Sequence, residues 1–171
     1  MGWRVSYYQA VKDEPLRLEK EIDESTGEVV SEYYKINGQM IINNEGTEIW
    51  LDDITEEQKL NPELFEKLAD DPDCDYYKVT KAGLELIISK YRERIIKMFK
   101  GMLDKDPEFG TTEQYAKQKL WMWDHGLEIN LKYDKPLGVT TSSFWEYTVF
   151  NLVYLYRNFD FENYNLVLYG G

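Results

Sequence analysis

Residues 29–43 read Val29-Val30-Ser31-Glu32-Tyr33-Tyr34-Lys35-Ile36-Asn37-Gly38-Gln39-Met40-Ile41-Ile42-Asn43. β-Branched and aromatic residues crowd both halves of this stretch. Asn37-Gly38 between them is the strongest short hairpin signal in the chain, because both residues tolerate positive φ. The stretch predicts a strand from Val29 to Ile36 that turns at Asn37-Gly38 and returns over Gln39 to Asn43. Upstream, Asp23-Glu24-Ser25-Thr26-Gly27 predicts a turn. Before it, Leu16, Leu18 and Ile22 alternate with Arg17, Glu19 and Glu21 as a second strand. Pro15 divides that strand from one over residues 3–11, where Trp3, Val5 and Tyr7 alternate with Arg4, Ser6 and Tyr8. Downstream, Asn44-Glu45-Gly46 turns again, and Thr47 to Leu51 reads as the next strand. Residues 1–51 thus read as an antiparallel β-meander.

From Asp53 onward the period changes. Asp53 with Glu56, or Thr55 with Gln58, would open a helix by reciprocal capping, and Asn61-Pro62 would open another through Ala69. Asp70 to Asp75 is a loop, and Tyr76 to Val79 a short extended piece. Thr80 then caps a long helix to about Leu103, whose stripe Leu84, Ile88, Tyr91, Ile95, Met98 and Met102 recurs at helical spacing. Thr111 with Gln114 caps a helix over 112–123. Leu127, Ile129, Leu131 and Tyr133 alternate as a strand. Ser143 with Glu146 forms a capping box for a helix over 144–158 that is apolar nearly all round, and so is expected to be buried. Asn163 to Tyr169 closes the chain as a strand, which could share a sheet with the first. The fold class expected is α+β in a single domain over 1–171, with a β-rich part about 1–51 and a mainly helical part about 53–171.

The composition bounds the chemistry. One Cys excludes an intramolecular disulfide, and one His excludes a multi-histidine metal site within the chain. The net charge of −12 is segregated. Residues 13–75 hold twenty acids against five bases, whereas residues 76–135 hold nine acids against twelve bases. Duplex DNA carries one charge per ~1.7 Å of axis, and proteins that bind it present basic grooves. A dense carboxylate surface fits such a groove, while the same field opposes direct contact with nucleic acid or an anionic membrane. Paired tyrosines beside the acids add the aromatic character of protein-binding patches. The residues expected to meet a partner are therefore Glu28, Glu32, Tyr33, Tyr34, Asp52, Asp53, Glu56, Glu57, Asp70, Asp71 and Asp73. The partner expected is a nuclease, polymerase or other nucleic-acid-binding protein.

Catalytic signatures are sparse. His125 sits at a helix end, where it can simply answer the helix dipole. Cys74 lies among Asp71, Asp73 and Asp75, which oppose a thiolate nucleophile. Those aspartates are spaced as an EF-hand loop begins, but Tyr76 and Ala82 stand where that loop needs Gly and Glu. Asp52, Asp53, Glu56 and Glu57 could face a hard cation together, yet acids in a first helical turn are the ordinary response to the dipole. No Gly-rich phosphate loop and no Gly-x-Ser-x-Gly elbow occurs, so neither a cofactor nor a resident metal is expected. The reading is a non-enzymatic protein, with a carboxylate-only, metal-dependent hydrolase as a minor competitor.

No charged leader followed by an apolar block opens the sequence, and Phe144 to Tyr156 falls short of a membrane span, so a cytoplasmic protein is expected. In size, acidity and aromatic content the chain resembles accessory and inhibitor proteins carried by bacteriophages, including anti-CRISPR proteins; the likeness covers no motif. It implies action in the cytoplasm of the host cell. The competing expectation is a structural or self-assembling protein, such as a virion component, in which the acidic and basic halves of different copies meet.

Overall fold

The computed structural model describes residues 5–42, 51–105, 110–125 and 144–171. Among these the strands are β1 (Ser6–Val11), β2 (Leu16–Ile22), β3 (Val29–Ile36), β4 (Gly38–Ile42), β5 (Phe65–Lys67), β6 (Asp75–Val79) and β7 (Tyr164–Gly170). The helices are α1 (Leu51–Leu60), α2 (Lys81–Lys105), α3 (Gly110–His125) and α4 (Phe144–Asn158). This is the mixed α+β class that the periodicities imply. The expected strand over Leu127–Tyr133, the caps at Ser143 and the turn at 44–46 lie outside the described residues, as do the first residues of the 3–11 strand and all of the expected Thr47–Leu51 strand but Leu51, which is helical.

Two compact units divide the chain. The first takes residues 1–45, 49–81 and 160–171, so it gathers all the described strands and α1. Its main sheet is antiparallel with the order β4-β1-β7-β6-β5, and β2 and β3 form a separate two-stranded sheet. The chain termini therefore do share a sheet: β1 pairs with β7, Tyr7 opposite Leu168. Along β7, Leu166, Val167 and Leu168 are all fully buried. Successive side chains point to opposite faces, so both faces of the sheet are covered at its middle strand. Leu166, Leu168, Tyr77 and Val79 share one face. That face meets α1, where the Thr55 and Tyr77 hydroxyls lie 3.3 Å apart. The other face carries Tyr8, Tyr76 and Tyr169.

The strands β2 and β3 have the expected bounds, but Asn37-Gly38 does not turn a hairpin between β3 and β4. β3 pairs with β2, from Leu16 opposite Ile36 to Ile22 opposite Val29, while β4 pairs with β1. The four strands form one nested ribbon that breaks where Pro15 supplies no N–H. There the Asn37 N–H donates to the Pro15 carbonyl, and Val11 N–H donates to the Asn37 carbonyl, both at 2.9 Å. Gly38 is required by close approach, not by positive φ: a Cβ there would strike the backbone of Gln9, and would lie 2.7 Å from Ala10 Cα. The true hairpin turn is Asp23 to Glu28. Asp23 accepts Ser25 N–H and Oγ–H at 2.8 and 2.6 Å, and Gly27 adopts φ +72. These Ser25 bonds hold the Asp23 carboxyl below its ordinary range.

Other local expectations are corrected. Asp53 and Thr55 both lie inside α1, so neither is its cap; Thr55 instead donates back to the Leu51 carbonyl at 3.0 Å. Asn61-Pro62 makes a single turn, and the helix expected through Ala69 is absent, because Phe65 joins β5 opposite Val79. Sheet pairing outweighs the local helix signal there. α2 runs past Gly101 to Lys105.

In the second unit, α2 buries Leu84, Ile87, Ile88, Tyr91, Ile95 and Phe99. The stripe drifts to Phe99 where a strict step predicts Met98, as a 3.6-residue period must over this length. Helices α3 and α4 are joined through buried polar groups. Lys119 Nζ donates to both Glu146 oxygens at 2.9 and 2.8 Å, and Trp123 Nε1 donates to Oε2 at 3.0 Å. One turn further on, Trp123 stacks on Phe150 with ring centroids 5.5 Å apart. The Glu146 carboxylate, expected to cap α4, thus engages α3. α4 is buried at Val149, Leu152, Val153 and Leu155, yet Tyr154 on it is exposed.

Candidate functional site

A cleft of about 570 Å³ opens in the first unit between the β2–β3 ribbon and the loop that precedes β6. Alternation on β3 places Glu32 and Tyr34 on the ribbon face shared with Leu18, because Leu18 pairs with Tyr34 and Lys20 with Glu32. Tyr33 borders the cleft too. Opposite them run Asp70, Asp71, Pro72, Asp73 and Cys74, and Tyr76 at the start of β6 lies between the walls. The loop is shaped by its own side chains: Asp71 Oδ1 accepts the Asp73 N–H at 2.9 Å, an Asx turn of the kind this residue favours.

An aromatic row underlies the cleft. Tyr34 tilts against Tyr76 at 6.2 Å, Tyr76 against Tyr169 at 5.3 Å, and Tyr169 meets Tyr8 edge-on at 6.4 Å. The Tyr169 hydroxyl and Cys74 Sγ are 3.5 Å apart. That hydrogen bond comes first, and burial with the charges of Cys74, Tyr8 and Asp71 follows; together they push the Tyr169 phenol up to about 12. Burial foremost, then Cys74, Tyr169 and Asp71, raises Tyr76 further, and burial raises Tyr8.

A pH dependence follows. A phenol whose folded pKa lies above its ordinary 10.0 favours folding below that pH and loses this contribution as pH rises to the folded value. Stability to urea is expected to fall between pH 10 and about 12, and Tyr169→Phe should flatten the fall. An alkaline profile unchanged by that substitution would contradict this electrostatic account of the row.

Of the residues proposed from sequence, the cleft brings together Glu32, Tyr33, Tyr34, Asp70, Asp71 and Asp73. Glu28 stands away from it at the hairpin turn. Asp52, Asp53, Glu56 and Glu57 lie on α1, which packs on the sheet face opposite the tyrosine row. The acidic residues expected to meet a partner therefore do not share one surface. Leu18, Pro72, Cys74 and Tyr76 complete the cleft and lie outside the residues expected to meet a partner. For Tyr76 the signal is the adjacent pair Tyr76-Tyr77, which sends one ring to each face of the sheet.

Charge compensation in the cleft is partial. Lys20 reaches Glu32 at 3.5 Å, and Lys67 reaches Asp70 at 3.6 Å and Asp75 at 3.9 Å. Among the described residues no Lys or Arg pairs with Asp71 or Asp73. Nor do three Asp, Glu, Cys or His side chains among those residues converge as metal ligands would. No described helix is long and apolar enough to cross a membrane. His125 is the last residue of α3. No family model, curated protein or solved structure matches the chain.

Proposed function

We propose that the protein is a non-enzymatic acidic binding protein that occludes a basic groove on a nucleic-acid-handling partner, such as a nuclease or polymerase. The observation that carries this reading is the cleft, where aromatic rings lie beside the aspartates Asp71 and Asp73 that no described cation neutralises. Such a surface offers a basic protein what the sugar-phosphate backbone offers: negative charge at close spacing with flat rings between. The compositional likeness to bacteriophage inhibitor proteins, anti-CRISPR proteins included, agrees with this reading and with action in the cytoplasm of a host cell.

The test is capture of purified nucleases and polymerases, followed by salt titration and competition with duplex DNA. Reversing the cleft acids Glu32, Asp70 and Asp73 to Lys is expected to weaken capture by at least about tenfold, since like charges placed across an interface cost several kcal/mol. Capture indifferent to salt, to DNA and to the reversals would remove the reading. The alternative, a self-assembling component, draws on exposed apolar side chains of β3 and β4, among them Val29, Val30 and Met40. Exposed strands of this kind invite pairing between copies. Light scattering across a concentration series separates the two, and a strict monomer would exclude assembly.

A further inference from the structure

We propose that the groove between β3 and the Asp70–Cys74 loop is a docking site for an arginine-bearing extended segment of the basic partner. The inference rests on the proposed binding function and adds the chemistry of the group that enters.

Shape and charge argue for this occupant together. The groove's volume, about 570 Å³, lies within the ~300–1,000 Å³ of sites that enclose small ligands or anchoring side chains. Its lining is divided: Leu18, Tyr33, Tyr34 and Tyr76 supply apolar and ring surface, while Asp71 and Asp73 supply carboxylates outside any ion pair with a described cation. An anion is repelled by that lining. A purely apolar group would bury the carboxylates without compensation. A bare metal ion requires converging ligands, and no three Asp, Glu, Cys or His side chains among the described residues converge so.

A large, flat, weakly hydrated cation satisfies both halves at once. Guanidinium pairs with carboxylates through its fork and lies against tyrosine rings, whereas a lysine ammonium is a compact and strongly hydrated point charge. The segment that carries it is expected to be extended. β3 has β2 as its only strand partner among the described residues, so its second edge can receive a strand. The ribbon also gains from cover. A two-stranded ribbon is marginal in water, and Leu18, Ile22, Val30 and Tyr33 on it are each at least half exposed.

The experiment uses the full chain and two synthetic probes, acetyl-(Gly-Arg)3-amide and acetyl-(Gly-Lys)3-amide, titrated by calorimetry and followed by NMR. The arginine peptide is expected to bind about tenfold more tightly than the lysine peptide, a difference of one side chain's charged hydrogen bonding. Asp71→Asn with Asp73→Asn should weaken the arginine peptide by about tenfold or more. Asparagine can still accept the Asp73 N–H in the loop turn, so the fold is retained. Asp52→Asn with Asp53→Asn, on the opposite sheet face, should leave peptide binding within about twofold. Equal affinity for the two peptides, or equal loss from both double variants, would overturn the proposal. So would a loop variant that binds the arginine peptide as the parent does. If that variant also captures the basic protein partner at full strength, the groove inference fails while the binding function stands; if the parent captures no basic protein at all, the function itself fails.

Discussion

Replacing Glu146 with Leu is expected to lower the stability of the protein by about 3–5 kcal/mol, the usual consequence of removing one member of a buried ion pair. Lys119 and Glu146 are 1% and 0% exposed. Without the carboxylate, the ammonium keeps the contact with the Phe99 ring, 5.9 Å away. That contact is too weak to replace a counter-charge. Trp123 would lose the acceptor of its indole N–H at the same time. Glu146→Gln keeps an acceptor for the indole and removes the charge, so a smaller loss is expected. Lys119→Met combined with Glu146→Leu removes both charges and should recover most of the loss, because well-packed apolar pairs are often as stable as the ion pairs they replace. Urea denaturation of the two single variants and the double variant closes the thermodynamic cycle. A Glu146→Leu variant within about 1 kcal/mol of the parent would mean that water or relaxation reaches this site.

That ion pair also shows where sequence reading stops. Glu146 stands three residues after Ser143, which is the capping-box spacing. Nothing local reveals that its carboxylate serves a lysine 27 residues upstream. The same boundary runs through the sheets. Alternation and turn chemistry carried the ends of β2 and β3 correctly, since both are properties of neighbouring residues. Strand pairing is not such a property. Asn37-Gly38 has the chemistry of a tight turn, yet the Lys12–Pro15 irregularity on the opposite strand lets the chain pass straight from one sheet to the other. Gly38 serves there because Gln9 and Ala10 lie against it. Phe65 likewise belongs to a strand because Val79 waits opposite, not because of its own neighbours. For the cleft, Glu32, Tyr33, Tyr34, Asp71 and Asp73 could be picked out from residue type alone. Their convergence could not, because it needs the ribbon and β6 to be placed side by side. The division of the acids between two faces of the sheet was equally hidden. It depends on Tyr77, not Tyr76, pointing at α1.

Leu168→Ala is expected to cost about 2–5 kcal/mol, the range for emptying a fully buried leucine site. Leu168 is 0% exposed and stands between Tyr7 and Tyr77 in the middle strand of the five-stranded sheet. Strands on both sides hold its backbone, so the neighbours have little freedom to collapse into the space. For a domain of ordinary stability, ~5–15 kcal/mol, this is a large fraction. The denaturation midpoint should fall with its slope unchanged, since the surface exposed on unfolding is nearly the same. Leu18→Ala is the matched comparison. The same side chain is removed, but from a position 50% exposed on the ribbon, and the cost expected is within about 0.5 kcal/mol. A large loss at Leu18, or a negligible one at Leu168, would contradict this division of the unit into a stabilising sheet and a ribbon that adds little to stability. The division bears on function. Side chains that contribute little to folding can present carboxylates and rings at a spacing set by a partner, and the groove is walled by such side chains on a strand whose other edge the five-stranded sheet does not use.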